Sequence, residues 1–344
     1  MRPVRGLILA AGLGTRLAPL TTGLPKPLFP VLNYPIIVHV IERMRAHGIV
    51  DLAINIHHLG AEIEEYLGSG ERLGVNITWF REKELLGTGG ILRRSAEFWQ
   101  DSTLVVTAGD MLSTLDLTDL VAFHRRHDGL ATVGTFLHGW PLEEFGGDVA
   151  VPRPGSTVVS EYQPKPGREA RSRHAATGVW AFEPGVVTHL PQATVFDLNK
   201  DFLPPFAATG LLHAYTADHE FDDFGQAEGY VDGTALALEG KLGVRPREPE
   251  VAPGLFISPT AVIGAGVTLE APVVIGPATV VEDGSRIEGP TVIGGGCVVE
   301  AGAIISNSVL LPGVRVARGQ LVARALLGDS FRTVPAIREH HLPC

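Results

Sequence analysis

The residues with the clearest chemical capacity are Gly12, Gly14, Arg16 and Lys26. Gly12-Leu13-Gly14-Thr15-Arg16 follows an apolar run from Leu7 to Ala11, and Pro25-Lys26-Pro27 comes soon after. Glycine lets backbone N–H groups approach an anion with no side chain in the way. Arg16 adds a planar five-donor fork, and the two prolines restrict the backbone around Lys26, so that its ammonium is pre-placed. Together these residues read as a cradle for a polyphosphate followed by a fixed cationic post. The loop is not a Walker A, which needs Gly-Lys-Ser/Thr, nor a Rossmann fingerprint, because the third glycine is missing. A Gly-rich turn is also an ordinary way for a chain to leave its first strand. Asp110, after Gly109, and Asp223, in Phe221-Asp222-Asp223-Phe224-Gly225, read by themselves as readily as a turn residue and a helix N-cap as they do as functional carboxylates. His57-His58 invites a metal reading, but neighbours on a strand point to opposite faces, so both are taken as structural.

These residues need a scaffold. Leu7 to Ala11 reads as a buried strand, Tyr34 to His47 as a helix ended by Gly48, and Leu52 to Ile56 as a strand. A short helix from Gly60, a strand from Val75, a helix from Gly89, a strand from Leu104, a helix from Leu117 and a strand from Ala131 follow. Such alternation predicts an α/β fold with a mainly parallel sheet covered on both faces. Ligands bind such sheets at the carboxyl ends of the strands, which places the Gly12 loop, Glu82 and Asp110 at one rim. From about Glu143 to Gln163 the pattern turns strand-like. Trp180 to Phe182 is a strand, Leu198 to Ala207 helical, and Gly225 to Glu239 a helix that closes a first domain, 1–242.

A Pro- and charge-rich linker, 243–253, leads into a six-residue period. Ile257, Ile263, Leu269, Ile275, Val281, Ile287, Ile293, Val299, Ile305 and Leu311 are spaced six apart, and Ala317 and Ala323 continue the frame. That predicts about four coils of three short strands over 254–328, each with its aliphatic residue turned inward. Cys297 lies in this repeat and reads as packing. The tail, 329–344, departs from the repeat and is read as a cap or a subunit contact.

Composition narrows the function. The 344 residues carry a net charge of −10 with no basic run, which argues against a nucleic acid or an anionic membrane as partner. Cys297 and Cys344 are the only cysteines, so no disulfide framework exists and a reducing, cytoplasmic compartment is expected. The first dozen residues mimic a signal peptide only superficially and read as the first strand, and no run is long enough to span a membrane.

The stretch Gly12-Leu13-Gly14-Thr15-Arg16-Leu17, Pro19-Leu20-Thr21 and Pro25-Lys26-Pro27-Leu28 resembles the signature of the sugar-1-phosphate nucleotidyltransferases. The six-residue period is similar to the hexapeptide-repeat left-handed β-helix. The resemblance implies a Rossmann-like nucleotidyltransferase domain followed by that helix. It also implies Mg²⁺ as cofactor, a nucleoside triphosphate and a sugar-1-phosphate as substrates, and a homo-oligomer. It assigns Arg16, Lys26 and Asp110 to catalysis and Asp110 and Asp223 to the metal, with Asp222 as fallback. Leu9, Ala10, Ala11, Gly12, Gly14, Thr15 and Arg16 fall to the nucleotide. Glu82 to Gly90 resembles the nucleobase loop, in which Gly87 would let the base lie flat, Glu82 would accept from a base-edge N–H, and Thr88 would assist. On the sugar side it assigns Phe145-Gly146, Lys165, Thr177 and Gly178. Two departures stand out. Pro164 replaces the usual Glu before Lys165, and Thr177 replaces the usual Asn before Gly178.

Two rival classes remain to be weighed. Hexapeptide solenoids often carry acyltransferases that use a histidine base, but no His lies between His219 and His340. A non-catalytic sugar-nucleotide-binding subunit is the other. The intact Arg16, Lys26, Asp110 and Asp223 favour an enzyme. Glu82 favours guanine, hence GTP with mannose-1-phosphate. Uridylyl or thymidylyl transfer to glucose-1-phosphate or another sugar phosphate is the alternative.

Overall fold

A computed structural model describes residues 2–18, 20–139, 146–328 and 331–333. Pro19, Phe145 and most of the expected C-terminal tail, with Cys344, lie outside the described residues.

Nine strands form one sheet. Its centre is parallel: Val4–Leu9 lies between Asp51–Ile56 and Thr103–Ala108, and Asn76–Arg81 extends it beyond Asp51–Ile56. Alternation along these strands makes two cores. Ile8, Ile54 and Val105 face the helices Ile36–Ala46 and Ala227–Leu238. Leu7, Ala53 and Val106 face Gly87–Arg94 and Leu203–Ala207. Burial on both faces explains why these strands are continuous apolar runs.

The second half of the sheet is antiparallel in part. His174–Phe182 runs against Thr103–Ala108 on one side and Ala131–Leu137 on the other. The sequence suggested only its last three residues as strand, because Thr177-Gly178 interrupts the pattern. The structure makes that interruption a register shift between Ala176 and Trp180, with Gly178 at φ +70°. A second correction concerns Tyr34, which opens no helix. Pro30–Val31 and Tyr34–Pro35 form a small hairpin, and the helix starts at Ile36.

The C-terminal part is a three-sided parallel β-helix. Three stacked sheets rise together, with Leu255–Ile257, Val262–Ile263 and Thr268–Glu270 as their first parallel rungs. Glu250–Ala252 joins the first of these sheets antiparallel. The expected six-residue register holds from Ile257 to Ile305, although Ile263 in the first coil is exposed rather than turned into the core, and then slips by one residue. Ile293, Val299 and Ile305 pair with Leu310, Val316 and Val322, not with Leu311, Ala317 and Ala323. The corner after Ile305 is one residue shorter, turned by Asn307 in the left-handed region at φ +45°. Leu311 therefore joins the core shared with the sheet domain rather than the solenoid's own. Cys297 is buried, its Sγ 3.3 Å from the Leu311 carbonyl, and burial pushes its thiol up to about 11, which fits packing and not chemistry. Ile287 is fully buried in the solenoid core. Ile287→Ala is expected to lower unfolding free energy by about 3 kcal/mol through lost burial and a cavity. An unchanged urea midpoint would contradict that.

Candidate active site

The site is built where the central parallel strands end. The chain leaves the first strand at Leu9, and Gly109 N–H donates to its carbonyl over 2.9 Å, tying the strand ends that precede the Gly12 loop and Asp110. Ala10 and Ala11 are buried beneath the loop. A Cβ on Gly12 would meet no atom, so its backbone faces open space, as an anion cradle requires. Gly14 adopts φ +64° and packs on the Lys26 and Thr21 side chains. Thr21 Oγ1 donates to the Gly14 carbonyl over 3.0 Å, which holds the loop against the lysine turn. Thr15–Leu17 forms a single 3₁₀ turn that projects Arg16 outward.

Lys26 is the junction. Its side chain is 6% exposed, and Nζ lies 2.6 Å from Asp110 Oδ2 and 2.6 Å from the Asp223 carbonyl oxygen. Two aspartates far apart in sequence are thus drawn to one ammonium. Their carboxylates stay open, at 33% exposure for Asp110 and 57% for Asp223. Asp223 Oδ1 accepts from Gly225 N–H over 3.0 Å, while Oδ2 sits 3.7 Å from Arg16 Nη2. Asp223 is followed by Phe224, a buried residue at φ +44°. Such a conformation in a bulky residue persists only where its surroundings impose it, and it accumulates at working sites.

Among the described residues no three His, Cys, Asp or Glu side chains converge into a metal cage. The pair Asp110 and Asp223 nevertheless fits a divalent ion of the magnesium kind. Such an ion takes hard oxygen donors, needs only one or two carboxylates, and completes its shell with substrate phosphates and water. Asp222, the fallback, is engaged elsewhere. It accepts from Phe224 N–H over 2.7 Å and packs beneath the last helix against Gly233. Burial, aided by the neighbouring Asp223 carboxylate, pushes it up to about 7.

The Glu82 loop is organised from within. Glu82 is 6% exposed. Its Oε1 accepts from Asn55 Nδ2 over 2.8 Å and its Oε2 from Leu86 N–H over 2.9 Å. Asn55 Oδ1 in turn accepts from Ala10 N–H over 3.0 Å. The relay Ala10, Asn55, Glu82, Leu86 locks the Gly12 loop to the 86–90 loop. Asn55 was not singled out from sequence, though one amide inside the apolar run Leu52 to Ile56 was the available signal. His57 lies just past the strand, with Nδ1 2.9 Å from the Glu82 carbonyl, which is a structural role.

Gly87 and Thr88 also serve packing. A Cβ on Gly87 would sit on the Phe196 carbonyl oxygen, and Gly87 is at φ +75°. Thr88 Oγ1 donates to Asp197 Oδ2 over 3.0 Å and accepts from Leu198 N–H over 2.8 Å. This hydroxyl stitches the loop to 196–198.

On the sugar side, Gly146 is exposed with open space around it. Lys165 is exposed, at φ +44°, and its backbone N–H donates to Asp148 Oδ1 over 3.1 Å. Asp148 is held above the usual carboxylate range by burial. Thr177 is 1% exposed and its hydroxyl donates to the Gly134 carbonyl over 3.0 Å. Gly178, at the register shift, faces the Met111 thioether.

Comparison with known proteins agrees with this arrangement. A family model for "Nucleotidyl transferase" matches residues 5–240. The chain is 34% identical over 292 residues to a UTP–glucose-1-phosphate uridylyltransferase of Synechocystis sp., covering 79% of this chain and 74% of that one. It is 31% identical over 272 residues to a mannose-1-phosphate guanyltransferase of Gibberella zeae, covering 76% and 73%. A putative glucose-1-phosphate thymidylyltransferase from Bacillus anthracis, solved in complex with a sucrose, superposes with a TM-score of 0.61 at 25% identity, over 68% of this chain and 95% of that one. Enzymes of this family generally use a divalent metal. No helix among the described residues is long and apolar enough to cross a membrane. The chain belongs to the nucleotidyl transferase family and is an enzyme of its sugar-1-phosphate nucleotidyltransferase branch.

Proposed function

We propose that the chain joins a nucleoside triphosphate to a sugar-1-phosphate by in-line attack of the sugar phosphate oxygen on the α-phosphorus. The new P–O bond forms as the bond to pyrophosphate breaks. The attacking oxygen is already an anion, so no general base is required. The barrier lies in bringing two polyanions together, which positioning and charge neutralisation lower. The observation that carries this reading is Lys26, held within 2.6 Å of both the Asp110 carboxylate and the Asp223 main chain.

In this reading Arg16 and the backbone of the Gly12 loop hold the departing pyrophosphate. Lys26 aligns the reacting phosphates, and Lys165 grips the sugar phosphate beside Gly146. Asp110 and Asp223 are the residues that would hold Mg²⁺, which when bound neutralises charge on the phosphates. Asp148, fastened to Lys165 and partly buried, is the carboxylate nearest to the function of the absent Glu before Lys165.

For the base, GTP with mannose-1-phosphate is proposed first. A carboxylate accepts more than the two internal bonds Glu82 makes, and the guanine N1–H and amine are matching donors. Uridylyl or thymidylyl transfer to glucose-1-phosphate is the second reading, favoured by the likeness to the Synechocystis enzyme. A cytoplasmic homo-oligomer completes the proposal. The test is pyrophosphate release across a matrix of nucleoside triphosphates and sugar-1-phosphates, with and without a chelator. One pair is expected to dominate, and the chelator to stop it. Release from no pair would overturn the proposed assignment of substrates and of the reacting groups.

A further inference from the structure

One face of the solenoid presents an unbroken outward column. Phe256, Val274, Val292, Val309 and Leu326 are successive rungs in register, and the last four are buried. They share one core with Leu28, Phe29 and Leu32, which follow Lys26 directly, and with Tyr230. On the other side of Lys26, Leu20 lies against Gly328, where a Cβ would come within 2.8 Å of it. The solenoid therefore touches the chain both before and after the lysine turn.

The closest engagement is at the hairpin tip. Leu32 and Asn33 are at φ 50° and 66°, the two consecutive left-handed residues of a two-residue hairpin loop. The Asn33 amide donates to Glu248 Oε1 over 2.9 Å and to the Ile293 carbonyl over 3.3 Å. The Arg247 guanidinium lies 3.8 Å over the Tyr34 ring and pairs with Glu42 at 2.8 Å. A hairpin with two residues per strand cannot hold its own position. Its placement is set by what clasps it. The tip is clasped by Glu248 of the linker and the Ile293 carbonyl of the solenoid, and the base by Tyr230, whose hydroxyl donates to the Pro30 carbonyl and whose ring meets both Phe29 and Phe224 edge-on. Phe29 N–H in turn donates to the Lys26 carbonyl over 3.0 Å.

We infer that the solenoid and its linker brace the active site from behind, and that Asn33 is the positioning residue through which they hold Lys26 between Asp110 and Asp223. The inference rests on the proposed role of Lys26. Two contacts at 2.6 Å tolerate little displacement, and a shift of about 1 Å in a reacting group can cost a large factor in rate.

The test uses the full chain. Asn33→Asp turns an amide donor into a carboxylate facing Glu248 and the Ile293 carbonyl. Turnover is expected to fall about tenfold or more with KM for the triphosphate little changed. Adding Glu248→Gln to that variant supplies a donor from the linker that leads into the solenoid and is expected to restore most of the lost turnover. If Asn33→Asp fails to fold, Asn33→Gly, which keeps the left-handed turn and removes the amide, is expected to show the same kcat loss. A shifted melting temperature with unchanged kcat, or no rescue by Glu248→Gln, would overturn the inference. Lys26→Ala is measured alongside. If that variant stays active, the reading of Lys26 fails. If it is inactive while the Asn33 variants turn over normally, only the role of Asn33 fails.

Discussion

Asp110→Ala is expected to abolish pyrophosphate release while the fold survives. Asp110 is the carboxylate partner of an ammonium that is almost wholly buried, and it is one of two candidate oxygen donors for the divalent ion. Losing one charge-stabilising group at a phosphate site typically costs on the order of 10²–10³ in rate, and this residue combines two such functions. Stability also falls, because Lys26 keeps only the Asp223 carbonyl as an acceptor, and a buried charge without its counter-charge is costly. Asp110→Asn separates the two effects. Its amide oxygen can still accept from Lys26 but carries no counter-charge, so melting should fall less than in Asp110→Ala while turnover is lost just as fully. Near-normal pyrophosphate release by either variant would remove Asp110 from the metal and from catalysis.

Gly87→Ala is expected to have the second largest effect, and on binding rather than on chemistry. Gly87 sits at φ +75°, where an L side chain costs roughly 1–2 kcal/mol. The new methyl group would also land on the Phe196 carbonyl oxygen. That carbonyl cannot swing aside, because it accepts from Gly89 N–H over 3.0 Å while Phe196 N–H donates to the Leu86 carbonyl over 3.0 Å. The 86–90 loop must therefore open away from 194–198. KM for the triphosphate is expected to rise by about tenfold or more, while kcat at saturation changes far less, because Lys26 and Asp110 are untouched. Steady-state kinetics with the triphosphate varied decides it. An unchanged KM would show that this loop does not border the nucleotide.

The Asn55–Glu82 relay explains why a single residue in this loop matters. Sequence reading gave Glu82 a direct contact with a base edge. The structure engages both its oxygens with internal donors, so its first task is to hold the two glycine loops at a set separation. Thr177 follows the same pattern. It stands where the resemblance sets an Asn, and its hydroxyl, beside the register shift of its strand, is engaged inward by the Gly134 carbonyl.

What the amino-acid order determined by itself was local and periodic. Apolar runs broken by glycine specified the parallel strands and the rim where Gly12 and Asp110 lie. The six-residue period specified the solenoid up to Ile305, because each coil repeats the same short strand and corner. The Gly12 to Leu28 stretch pointed to the chemistry through its resemblance to the nucleotidyltransferase signature, which is local enough to be read along the chain. Only the tertiary structure decided how Lys26 joins Asp110 to Asp223, which lie 84 and 197 residues away from it. It also decided that the frame slips at Asn307, that Asn55 links two loops, and that the solenoid clasps the hairpin behind Lys26. The slip is a local corner one residue shorter, but the others are contacts between distant segments, set by how the sheet, the last helix and the prism pack, and packing of that kind leaves no period in the sequence to read.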